Sequence, residues 1–135
     1  MIKIIFPSIL FFYFCFGYSQ DKKSKEFVES IDRGAIIYED FCMNCHLPDG
    51  KGVEKVTPPL AKSDYLMKNR EKSIRAVKFG QSGEITVNGK IYNGTMTAMG
   101  LSNKEIADVM NYITNNFGNS NNKVFTEEEV LKIEK

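Results

Sequence analysis

The chain has 135 residues, 18 Lys and Arg against 17 Asp and Glu, three Cys, one His and no Trp. This length predicts one domain, and a formal net charge of +1 supplies no field to draw nucleic acid or a membrane surface. A single His excludes chemistry built on two imidazoles, and the placing of the Cys excludes a second CxxC pair: Cys15 stands alone near the start, while Cys42 and Cys45 sit with the only His in Cys42-Met43-Asn44-Cys45-His46.

Residues 1–19 carry one charge, Lys3, then an apolar run from Ile4 to Phe16, then the small residues Gly17 and Ser19. That order is expected of an export signal cleaved after Ser19. A run of this length is short of the roughly 20 residues a membrane span needs. An uncleaved anchor is the competing reading. Lipidation at Cys15 is disfavoured by the bulky Phe14 before it. Cleavage would remove Cys15 and Lys3, leaving 17 basic against 17 acidic residues, two thiols and no stable membrane span. The expected division is a signal at 1–19, a linker at 20–26, the folded domain at 27–119, and an Asn-rich linker with a short helix at 120–135.

Apolar or small residues at Phe27, Ile31, Gly34, Tyr38 and Phe41 have helical spacing and predict a helix from Lys25 to Phe41. Gly34 is either tolerated there, at about 1 kcal/mol against Ala, or marks a close helix crossing. His46 to Gly52 is turn-rich and Thr57-Pro58-Pro59-Leu60 extended; Ser63 is expected to cap a short helix, and Ser73 to Phe79 to form another that ends at Gly80. Glu84–Val87, Asn88-Gly89 and Lys90–Tyr92 read as a hairpin on a primed turn. Tyr92 to Gly100 is expected to be a loop carrying Met96 and Met99. Ser102-Asn103-Lys104-Glu105 is a capping box opening a helix with apolar residues at Ile106, Val109, Met110, Ile113 and Phe117 and a stop at Gly118. Thr126 to Glu129 reads as a second capping box on a tail helix. The domain is therefore expected to be all-α apart from the hairpin.

CxxCH is the haem c attachment signature. Two thiols three positions apart reach the two vinyl groups of one porphyrin edge, and the following His46 is placed to ligate the iron. A zinc site needs four ligands, and Cys42, Cys45 and His46 have no second cluster; a thioredoxin-like CxxC lacks its βαβ pattern. With His46 committed, the second axial ligand falls to a methionine. Met43 is inside the attachment loop, Met110 is on the inner stripe of a helix, and Met67 is expected to fill a core gap. Met96 is the expected ligand, with Met99 as the substitute, and Met/His ligation of a closed iron favours electron transfer over substrate chemistry.

The CxxCH helix, Pro58-Pro59-Leu60, Tyr92-Asn93-Gly94-Thr95-Met96 and Ile106 to Ile113, in that order, resemble a monohaem class I cytochrome c over roughly residues 28–119. The resemblance implies three to five helices around one covalent haem c, with the first and last helices crossing at Gly34 beside Tyr112. It implies a proline carbonyl, assigned by its place before Leu60 to Pro58, accepting from the second nitrogen of His46. Thr97 departs from the Pro that often follows the ligand Met in this family and leaves that loop freer.

The expected function is an exported, periplasmic carrier of single electrons between redox partners, of the respiratory kind, and not an enzyme. Its partners are expected to be redox proteins (a dehydrogenase, a reductase or a terminal oxidase), and the chain to be a monomer. Two alternatives stand beside it: a haem sensor or peroxidase-like protein with a labile sixth ligand, and the electron-entry subunit of a larger complex. For the latter the tail from Val124 to Lys135 is either a docking helix or a solvated charged end.

Overall fold

A computed structural model describes residues 17–135; the apolar run of the expected leader, with Lys3 and Cys15, lies outside the described residues. Six helical segments and one hairpin follow in chain order: α1 Gly17–Phe41, α2 Met43–His46, α3 Asp64–Lys68, α4 Arg70–Phe79, β1 Gln81–Val87, β2 Lys90–Met96, α5 Asn103–Ile113 and α6 Glu127–Leu131. Among the described residues the sheet is the antiparallel pair β1–β2.

The crossing of α1 and α5 organises the fold. A Cβ at Gly34 would overlap the Asp108 carbonyl oxygen and stand 2.8 Å from the Tyr112 Cβ. The glycine is thus the point of closest approach, the second of its two readings. Polar groups lock the same interface. Ser30 Oγ donates to Asp108 Oδ1 at 2.6 Å, Arg33 Nε donates to Asp108 Oδ2 at 2.7 Å, and Asn111 Nδ2 donates to Ser30 Oγ at 2.9 Å. The capping box at Ser102 and Glu105 is present in both directions and starts α5. The core under this crossing contains Ile37, Tyr38, Ile74, Ile106, Met110 and Ile113.

Several local expectations change. The chain is already helical at Gly17, the first described residue, rather than from Lys25, so the stretch expected to be a linker, 20–26, is helical and continuous with the domain. The hairpin is longer than its four-residue core. β1 and β2 pair from Gln81↔Met96 to Val87↔Lys90, so Tyr92 to Met96 is strand, and only Thr97 to Gly100 is loop. The extra pairing follows from β2 having a partner for its whole length, which the spacing of apolar residues did not signal. Asn88 and Gly89 carry φ of 52° and 76°, the primed turn that Asn-Gly favours. Asp64 and Asn88 exchange backbone-to-side-chain bonds of 2.9 and 2.7 Å that pin the turn to the start of α3.

The last long helix stops at Ile113 and not at Gly118; Phe117 and Gly118 have φ of 55° and 80°, which no helix accommodates. Met67 is exposed rather than a core filler. The tail helix has half of its expected capping box: Thr126 Oγ1 accepts from Glu129 N, but the Glu129 carboxylate turns away to Arg70. Nor is the tail a solvated end. Phe125 and Val130 are buried in the common core, because a short helix carrying them gains more from covering α4 and α5 than from water.

Candidate functional site

The pentapeptide at the end of α1 is a single helical turn. Cys42 N donates to Tyr38 O at 2.9 Å, closing α1, and Cys42 O then accepts from Cys45 N at 3.2 Å and His46 N at 2.9 Å. Positions i, i+3 and i+4 of one turn share a face, which places Cys42, Cys45 and His46 side by side. The two sulfurs are not joined to each other in a disulfide. Burial, and then the neighbouring Cys45, pushes the Cys42 thiol up to about 11.

His46 is buried, with 8% of its surface exposed. Its Nδ1 lies 3.0 Å from the Pro58 carbonyl oxygen. A carbonyl only accepts, so this bond requires the Nδ1–H tautomer and leaves the Nε2 lone pair free. Burial lowers the imidazole pKa and outweighs the opposing pull of the Pro58 carbonyl, which keeps the ring neutral and able to ligate.

The turn after His46 is held from three sides. Tyr38 Oη donates to the Leu47 carbonyl at 2.7 Å, where Leu47 takes a φ of 66°. Gly50 O accepts from Leu60 N at 2.8 Å and Ala61 N at 2.9 Å, so the Pro58–Leu60 stretch is laid against this loop. The Phe117 ring packs on Gly50, where a Cβ would stand 2.7 Å from it, and Asn119 Nδ2 donates to Leu60 O at 2.8 Å.

These elements enclose a cleft of about 230 Å³ lined mainly by apolar side chains, roughly fifteen times the space one water needs. A void of that size is far outside the packing defects of a close-packed interior. Cys42, Cys45 and His46 line it, as do Pro58 and Leu60, and so do Met96, Met99 and Met110. The structure therefore brings together every residue singled out for the site. Met96 ends β2, whereas Met99 lies in the short free loop. Met110 is wholly buried.

One further wall residue escaped the sequence reading. Ser73, on α4, lines the cleft, and its buried Oγ has no hydrogen-bond partner in the protein. Buried hydroxyls are normally paired, so the cleft suits an occupant with a large apolar body and a polar group within reach of Ser73. Haem, a broad macrocycle bearing carboxylates, meets that description. Tyr38 and Asn119 were also missed as residues of the site; Tyr38 lies one turn before Cys42, which was a usable signal, but no spacing pointed to Asn119.

The cytochrome c family model matches residues 31–116, and the chain belongs to that family: it is a class I monohaem c-type cytochrome with covalently attached haem c. Among curated proteins it is 38% identical over 109 residues to cytochrome c-552 of Thermus thermophilus, covering 74% of this chain and 82% of the relative. It is 29% identical over 108 residues to the cytochrome c subunit of the quinone alcohol dehydrogenase of Gluconobacter oxydans, covering 74% of this chain but 21% of that subunit. Proteins of this family transfer electrons. Among the described residues no helix is long and apolar enough to cross a membrane.

Proposed function

We propose that this chain is an exported single-electron carrier whose haem is bound through Cys42 and Cys45 and whose iron is ligated by His46 and Met96. The observation that carries the reading is the convergence of the CxxCH turn and Met96 on one apolar cleft. When bound, the haem supplies a one-electron couple between ferrous and ferric iron.

The protein's own groups do the rest. The thiols anchor the macrocycle, and Pro58 orients His46 while making its Nε2 a stronger donor. Met96 is favoured over Met99 because its backbone is fixed: it pairs with Gln81 and packs against Gly80, where a Cβ would stand 2.7 Å from Met96 O. The apolar walls, Leu60, Val77, Val109 and Ile113 among them, exclude water from the iron and raise the potential. With His46 and Met96 both committed to the iron, the chain would leave no open position on it for a substrate.

The absorption spectrum of the oxidised holoprotein tests the ligand set. The methionine–iron charge-transfer band should be present in the wild type and in Met99→Ala and absent in Met96→Ala. Its retention in Met96→Ala would overturn the assignment. Export is tested by the mass of the native protein, which should lack residues 1–19 and carry one haem.

A second reading has one observation in its favour, the likeness to a dehydrogenase subunit. In it, this domain is the electron-entry module of a larger redox complex. Affinity capture of the native holoprotein distinguishes the two: a stoichiometric oxidoreductase partner supports the complex, and an unaccompanied monomer the free carrier.

A further inference from the structure

The family match ends at residue 116, yet the residues beyond it are built into the molecule. Arg70, the first residue of α4, gathers them. Its guanidinium donates through Nη2 to Glu129 Oε2 at 2.6 Å and through Nε to Glu129 Oε1 at 2.5 Å. It also donates to the carbonyls of Lys123 at 3.0 Å and Val124 at 2.9 Å, and it lies 3.4 Å over the centre of the Phe125 ring. At the other end of α4, Lys78 Nζ donates to Val130 O at 2.8 Å and Ile133 O at 2.9 Å. Arg75, between them, donates to Glu134 O. The helix thus grips the tail along its length. Asn111 fixes the tail to α5 by accepting from Phe125 N at 2.8 Å and donating to Phe125 O at 3.0 Å.

The other side of α4 faces the cleft through Ser73, Ala76 and Val77. Its end passes directly into the Met96 support: Gly80, with φ of 85°, is packed on Met96 O, and Gln81 is the strand partner of Met96. Whatever holds α4 therefore holds the backbone of Met96. A hydrophobic core alone would leave α4 covered on one side, because Ile74 is its one fully buried apolar residue.

We propose that residues 123–135 form a strap that clamps α4, with Arg70 as the positioning residue, and so keeps the Met96 side of the cleft closed over the iron. This rests on the reading of Met96 as ligand. Loss of the clamp lets the α4–hairpin unit open locally, and an external ligand then competes for the sixth position. Local opening of this kind is drawn from the least supported part of a fold, and the strap is what supports this one.

The test compares the full-length oxidised holoproteins of the wild type, Arg70→Gln, Glu129→Gln and Arg33→Gln, the last removing a bond to Asp108 at the α1–α5 crossing and touching no part of the strap. Cyanide binding rates and the methionine–iron band are measured at 25 °C, and thermal midpoints alongside. Arg70→Gln and Glu129→Gln should bind cyanide about tenfold faster, the response to an opening made about 1.4 kcal/mol easier, with a weakened band. Arg33→Gln should lose thermal stability with neither change. Equal cyanide rates in Arg70→Gln and Arg33→Gln overturn the strap while leaving Met96 as ligand. A wild type that lacks the band and binds cyanide as fast as Arg70→Gln overturns the ligand reading, and the strap with it.

Discussion

Gly34 and Tyr38 sit one turn apart on the same helix and show how two residues fix a site from opposite needs, one by having no side chain and one by having a long one. Gly34→Ala would press a methyl group into the Asp108 carbonyl. Since neither backbone can yield without separating the helices, the cost should reach about 3 kcal/mol, the upper end for overpacking. A calorimetric scan should show the midpoint lowered by about 10 °C. Tyr38 is buried, and its hydroxyl, which burial and then the nearby Cys42 hold firmly protonated, donates to Leu47 O. Tyr38→Phe leaves that carbonyl, one residue after His46, with the bond from Gly50 N alone. We expect about 1 kcal/mol less stability in a denaturant titration. At this scale much was legible. The i, i+3, i+4 spacing of Cys42, Cys45 and His46 fixes their common face, and it needs no tertiary knowledge. Ser73 and Asn119 were not legible, because a hydroxyl without a partner and an amide spanning 59 residues are properties of the folded chain.

Between α1 and α5 the polar contacts carry a pH dependence whose sign can be worked out. Desolvation is the largest influence on Asp108 and would raise its pKa, but bonds from Arg33, Ser30 and Lys104 together outweigh it and hold the carboxyl below its ordinary value. A depressed carboxylate stabilises the fold fully above the unfolded value, about 4, and the contribution fades as pH falls through the folded value. Stability measured by urea titration should therefore drop as the pH falls below about 4, and Asp108→Asn, less stable near neutrality, should flatten that decline. Element types were read well where periodicity or capping speaks locally: α1, the Asn88-Gly89 turn and the Ser102 capping box. Element ends were read poorly where tertiary partners decide them. Met96 is strand because Gln81 lies opposite. The last long helix ends early because Phe117 turns back to pack on Gly50, against an apolar spacing that invites continuation.

The whole domain is built around a cleft it cannot fill with its own side chains, and its stability should reflect that. Haem bound there removes its macrocycle and the apolar walls from water at about 25 cal/mol per Å², so the apo chain, prepared by Cys42→Ala with Cys45→Ala, should show much reduced helix content by circular dichroism at 25 °C. An apo form with native helix content would contradict this. The crossing at Gly34 also has a kinetic consequence. Ser30 and Asp108 meet across 78 residues of sequence, and bringing such distant segments together costs loop-closure entropy before any contact returns it. The hairpin and the CxxCH turn, closed over a few residues each, can form long before the two ends of the chain find one another. Docking of α1 on α5 would then be the slow event of folding, and these two helices would set the rate at which the molecule becomes a cytochrome at all.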